Sequence, residues 1–346
     1  MILSDSTRNH LTAWWDHADL DRPCVLATLD TPPLPELKGE ALETWWMDIP
    51  ARLDRVKDII KVQRYRGEAV PYQYVDYGAS AMAGALGCPM EFVDADTIWA
   101  DPRFEDIEDV LEADIALKGL FWEKLEALTR GSLAFSKDHH FVSYFALGGV
   151  TDTAAALYGT ENLLMDMVAE PESVEELMTR MADLWLEAKG KVDQWFSEAG
   201  QACHIGWCGV WAPGTTFPLQ EDFSYMISNE MYRRFCAPSL ERFIAALDYP
   251  MYHLDGVDAL KHLDTLIGMP DLRAIQWQPG AGHEDLEQWI PILQKILAAG
   301  KSVQVYARAE EVVPITRAVG PTGMAYVLVD ATEASLETIE TQLGGK

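Results

Sequence analysis

Apolar residues in this chain follow two rhythms. Short blocks such as Cys24-Val-Leu-Ala-Thr-Leu29, closed by aspartate, glycine or proline, predict buried parallel strands. Longer stretches with apolar residues every three or four positions predict amphipathic helices that cover those strands. Strands are expected at 24–29, 69–76, 141–147, 203–210, 250–256, 275–278, 303–306 and 325–329. Helices are expected at 4–21, 50–66, 106–129, 171–196, 229–246, 284–299, 309–318 and 332–343, with 90–101 as an inserted excursion. The clearest helix is 171–196, where Ser173 and Glu176 fit a capping box and Val174, Leu177, Met181, Leu184, Ala188, Val192 and Trp195 form one stripe. No short repeat, low-complexity linker or composition break interrupts the alternation. It predicts an α/β fold: a single-domain (β/α)8 TIM barrel over 1–346, with 1–21 as an N-terminal helical extension.

In such a barrel the chemistry sits at the carboxyl ends of the strands. Side chains alternate along a strand, so His253 and Asp255 share a face while Leu254 points away. An imidazole beside a carboxylate suits a catalytic base or a metal ligand, and it equally suits a hydrogen bond to loop backbone. Asp152, expected just past the third strand, joins His253 and Asp255 as a catalytic candidate, although N-capping of a helix explains such an aspartate equally well. Asp30, Asp76 and Asp330 close other strands. Trp207, Trp277, Gln278 and Tyr306 are expected to line a substrate pocket or to fill the barrel core, with Arg308 placed to bind an anionic group and Asp330 a polar one. His204 and Cys208 share a face of the fourth expected strand and form a weaker ligand pair.

Composition narrows the partners. A formal charge of -28 repels phosphate backbones and anionic headgroups, which speaks against nucleic acid and membrane surfaces. Five scattered cysteines in apolar runs fit reduced thiols, and the amino terminus has no basic, long apolar leader, so the expected location is the cytoplasm. No Walker loop, Gly-x-Gly-x-x-Gly or Gly-x-Ser-x-Gly occurs, leaving nucleotide hydrolysis, dinucleotide binding and serine hydrolysis without support. Small-molecule substrates remain.

Three stretches resemble the uroporphyrinogen decarboxylase superfamily: Gly159-Thr-Glu-Asn-Leu-Leu-Met-Asp-Met through Pro171-Glu-Ser-Val-Glu-Glu-Leu, Asp222-Phe-Ser-Tyr-Met-Ile-Ser-Asn-Glu-Met-Tyr-Arg-Arg-Phe, and His253-Leu-Asp-Gly with the Trp277 strand end. The resemblance implies the barrel, a homodimer, and either porphyrinogen decarboxylation or methyl transfer among small molecules, corrinoids, thiols and folates. Where the decarboxylases resembling this chain carry arginines for substrate carboxylates, it reads Leu29-Asp-Thr-Pro-Pro-Leu-Pro. Where zinc methyltransferases have His-x-Cys and a distant cysteine, it has His253-Leu-Asp255 and Asp330. The expectation is therefore a methyltransferase moving a methyl group between a corrinoid or small methyl donor and an acceptor such as tetrahydrofolate or a thiol. His253 and Asp255 are the expected ligands of any zinc or other divalent metal. A corrinoid carrier protein is the implied partner, because Asp138-His139-His140 followed by Ser143 lacks the glycine of a carrier's own cobalt motif. The alternatives are a decarboxylase of a smaller carboxylated molecule, using Arg308 as its clamp, and a non-catalytic barrel binding protein.

Overall fold

The computed structural model describes residues 2–343. Its strands are β1 (Cys24–Leu29), β2 (Arg64–Gly67), β3 (Tyr72–Gln73), β4 (Met90–Phe92), β5 (Ile98–Ala100), β6 (Phe141–Val142), β7 (Pro218–Leu219), β8 (Met251–Asp255), β9 (Ala274–Gln278), β10 (Ser302–Ala307) and β11 (Met324–Leu328). Seven of them form one sheet in the order β2-β1-β11-β10-β9-β8-β7. Every pairing in it is parallel except β1 with β2. A parallel pair β3-β6 and an antiparallel hairpin β4-β5 stand apart from it.

Alternating strands and helices thus build an α/β protein with a mostly parallel central sheet, but among the described residues the strand ladder does not close into a ring. Two local features explain this. The antiparallel β2 takes the free edge of β1, where β3 would otherwise pair, and a Cβ on Gly67 would stand 2.0 Å from Val25 O, so only glycine permits the approach. On the other side, the run expected as a fourth strand at 203–210 is a tight hairpin held by one isolated antiparallel bridge, Ile205 to Trp211. Gly209 takes φ 79° there, a left-handed conformation that a strand does not use. The parallel neighbour of β8 is instead Pro218–Leu219.

Strand register sorts the side chains. His253, Gln276 and Gln304 lie side by side on one face of β8, β9 and β10, and Leu254, Trp277 and Val305 lie on the other. The second face packs under the helices, with Trp277 fully buried against Trp289 at 5.2 Å between ring centroids. The long helix Pro171–Glu198 buries the stripe read from the sequence, from Val174 to Trp195. The amino-terminal helix Asp5–Trp15 is capped by Ser4 and closes the end of the sheet opposite the site. Trp14 Nε1 donates to Gly323 O and Trp15 Nε1 to Trp211 O, each at 2.9 Å. Buried Glu68 clamps this helix to β1, accepting from Arg22 at 2.6 Å and from Val25 N at 2.8 Å beside His10 Nδ1 at 2.8 Å. All five cysteines are buried and unbridged. No described helix is long and apolar enough to cross a membrane.

Asp138-His139-His140 is the turn into β6, at the amino end of that strand, with Asp138 at φ 67°. His140 is 2% exposed, its Nε2 has no hydrogen-bond partner, and its ring lies 5.0 Å from that of Phe135. Burial, reinforced by His139, pulls its pKa down to about 4. The unfolded chain therefore takes up a proton near pH 6.5 that the folded chain refuses until about pH 4, and stability falls as pH drops through that window. The expected loss is about 2 kcal/mol after allowance for solvent near the ring. His140→Leu should flatten this part of the acid limb in urea titrations run between pH 7 and pH 4, and an unchanged limb would refute the assignment.

Candidate active site

The carboxyl end of β8 carries His253 and Asp255, and the short 3-10 turn Asp222–Met226 that follows β7 brings Asp222 beside them. One imidazole nitrogen and two carboxylate oxygens from these residues all lie within 4.8 Å of one another. His253 Nδ1 meets the side-chain oxygen of buried Gln276, the neighbour set by strand register. In that pairing the ring nitrogen donates, which leaves Nε2 with its lone pair. Trp207 covers the imidazole edge-on at 4.9 Å. Burial lowers the His253 pKa, opposed in part by the Gln276 hydrogen bond and the Asp255 charge, so the ring is neutral at neutral pH.

Asp222 is under more stress. Burial first, then the charges of Asp152, Asp255 and Glu221, push its carboxyl well above the usual range. Its Oδ2 accepts from Gln220 Nε2 at 2.7 Å, while its buried Oδ1 has no hydrogen-bond partner.

Asp152 and Glu221 hold this turn through reciprocal caps. Asp152 accepts from Phe223 N at 2.6 Å, Asp222 N at 3.0 Å and Gly149 N at 3.2 Å. Glu221 sits on the amino end of the helix Val150–Tyr158, accepting from Val150 N and Thr151 N at 3.0 Å each and from the Thr151 hydroxyl. A helix amino terminus offers such unpaired donors and a partial positive charge. Burial and the nearby Asp152 nevertheless raise Glu221 to about 8, and burial raises Asp152 as well, so the group keeps a proton at neutral pH.

A cleft of about 830 Å³ opens over these carboxylates, with Asp152, Asp222 and Asp255 in its wall. Met82, Trp99, Phe223, Met226 and Val257 supply apolar lining, and Trp99 and Tyr225 stand 60% and 51% exposed at its rim. Among the described residues no lysine or arginine lines it, and the only basic side chain in its wall is His283.

The remaining residues singled out from the sequence scatter. Gln278 lies in register with Asp255 and so joins the cluster, and Trp207 shields His253. Tyr306 is on the inward face of β10, two residues from Gln304, and burial raises its pKa. Trp277 points outward into the helix layer, as strand alternation requires of the residue between Gln276 and Gln278. Arg308 precedes the helix Ala309–Val319, its N–H donating to Glu311 Oε2 at 2.8 Å and its guanidinium on Glu310 at 3.4 Å and Glu311 at 3.2 Å. Asp330 accepts from Ala309 N at 2.8 Å, away from the cluster. His204 Nδ1 faces Ala212 O at 3.1 Å while Cys208 reaches the Met251 sulfur at 3.5 Å, so the two are not a ligand pair. Asp222, Glu221 and Gln276 were not among the expected site residues. An acidic pair one residue beyond the Phe217-Pro-Leu219 run was the available signal for the first two. Only strand register reveals Gln276.

No family model matches the chain, and no curated protein matches it. Among solved structures it is similar to a methyltransferase from Methanosarcina mazei, with a TM-score of 0.63 and 10% sequence identity over 98% of this chain and 99% of that one. At that identity the likeness is one of fold, and it runs along essentially the full length of both chains.

Proposed function

We propose that this chain is a methyltransferase built on an interrupted (β/α)8 barrel, passing a methyl group from a methylated corrinoid or small methyl donor to an uncharged or cationic acceptor such as a thiol. The observation that carries this reading is the make-up of the mouth: a broad cleft lined by apolar groups and carboxylates, without lysine or arginine among the described residues, above a His253–Asp222–Asp255 cluster. The flat face of a corrin ring is suited to the Trp99 and Tyr225 rim. A folate with its anionic tail, or a polycarboxylate awaiting decarboxylation, lacks basic partners there. Arg308, the clamp that decarboxylation would need, is already committed to Glu310 and Glu311.

The donor set fits a divalent cation. It offers one nitrogen and two carboxylates, of which Asp222 keeps a buried oxygen without a hydrogen-bond partner, and the charge repulsion that adds to burial in raising Asp222 is what a cation relieves. No cysteine belongs to it, so the donors favour an oxygen-rich site over a thiolate one. Asp222, His253 and Asp255 would hold such an ion, which would supply Lewis acidity toward the acceptor. The chain's own residues do the rest. Gln276 fixes the imidazole tautomer, Trp207 shields it, and Phe223 and Met226 keep water from the reacting face.

The test is methylcobalamin incubated with the protein and a panel of thiols and amines, followed through loss of the cobalt–carbon absorbance. Turnover with a neutral or cationic acceptor is expected. No turnover with any acceptor, in protein that retains its fold, would sink the reading and favour a barrel that only binds.

A further inference from the structure

A second cleft, of about 360 Å³, lies in the gap between β2 and β3 and shares no lining residue with the acidic mouth. Its presence follows from the interrupted ladder. With β2 on β1 and β3 paired only to β6, two strand edges face each other without joining. The helix Ile49–Val62 covers the gap loosely: none of its residues is fully buried, and its apolar Val56, Ile59 and Ile60 look into the cleft. Tyr65 and Tyr74 supply aromatic walls, and burial raises the Tyr65 hydroxyl to about 12, so it stays neutral.

Two features separate this cleft from an ordinary packing defect. In a chain of formal charge -28, no charged residue lines it among the described residues. Gln73 lines it too, is only 5% exposed, and its Oε1 has no hydrogen-bond partner. A buried amide oxygen without a donor is costly, and it persists where a ligand or water supplies one.

We propose that this cleft is a binding site for a small, uncharged aromatic molecule that carries one hydrogen-bond donor. The ring packs between the tyrosines and the aliphatic face of the helix, and the donor reaches Gln73 Oε1. The volume accepts a one- or two-ring molecule. Charged ligands are excluded, because desolvating a charge in a lining without a counter-charge outweighs the packing of a ring against its walls. The lining has no carboxylate, imidazole or thiol, so the site binds and does not transform. This inference stands independently of methyl transfer.

Calorimetric titration with phenol, toluene and benzoate tests it on the full chain. Phenol should bind, toluene about tenfold more weakly for want of the donor, and benzoate not at all. Gln73→Leu should bring phenol down to the toluene level, and Ile59→Trp, which fills the cleft, should abolish both. Asp222→Asn, in the other cleft, should leave phenol binding unchanged. Thermal melts confirm that each variant folds, and Gln73→Leu carries the test if Ile59→Trp does not. Equal affinity for phenol and toluene, no phenol binding at its solubility limit, or phenol binding that ignores Gln73→Leu would each overturn the proposal.

Discussion

His253→Ala should lower kcat for methyl transfer by about 10²–10⁴ while leaving the fold intact, the range that loss of a positioned acid, base or ligand produces. The fold should survive because the imidazole hydrogen-bonds a single protein group among the described residues, the Gln276 amide. Activity should not survive, because this ring brings the only nitrogen donor to a group otherwise made of carboxylates. Gln276→Leu should show the weaker effect of a positioning residue, about 10–100-fold, since the ring remains but its tautomer and angle are no longer set. Metal analysis of the purified variants separates the two roles open to His253. Metal lost with activity identifies a ligand, and metal retained without activity identifies a proton carrier. Retention of more than a tenth of wild-type kcat in His253→Ala would remove the cluster from the mechanism.

The sequence made the alternation of elements legible because burial imposes periodicity wherever one helix or strand face meets the core. The stripe on Pro171–Glu198 and the late strands β8 to β11 were therefore readable. It was also enough to put His253 and Asp255 on one face, since alternation along a strand is local geometry. The misreadings come from nonlocal causes. The apolar run at 203–210 resembles a strand, but its Gly206 and Gly209 allow the chain to fold back as a hairpin beside Tyr72, whose hydroxyl donates to Trp207 O at 3.0 Å. Trp277 stands out as an aromatic at a strand end, yet its neighbours Gln276 and Gln278 take the inward face and leave it outside. Arg308 and Asp330 stand at strand ends as expected, but Arg308 is paired with Glu310 and Glu311, and Asp330 caps the helix Ala309–Val319. Asp222 belongs to a different element from His253, and only the tertiary structure makes them neighbours.

Glu221→Ala should cost about 3 kcal/mol of stability, a large loss for a residue outside the metal-ligand set. The carboxyl satisfies the backbone N–H groups of Val150 and Thr151 and the Thr151 hydroxyl, all of them buried. Each donor left without a partner costs ~1–3 kcal/mol, and relief of repulsion with Asp152 and Asp222 offsets part of that total. The hydrogen-bond loss should win, because a proton held within the group already moderates the repulsion whereas nothing nearby replaces three bonds. Glu221→Gln provides the control: it keeps an acceptor oxygen and removes the charge, so its loss should stay near ~1 kcal/mol. Urea midpoints for the two variants at pH 7 measure the difference, and equal midpoints would show that charge, not capping, governs the site. The same variants bear on chemistry, because Glu221 and Asp152 fix the turn that presents Asp222. Glu221→Ala should therefore lose activity at temperatures where it is still folded, while Glu221→Gln keeps most of it.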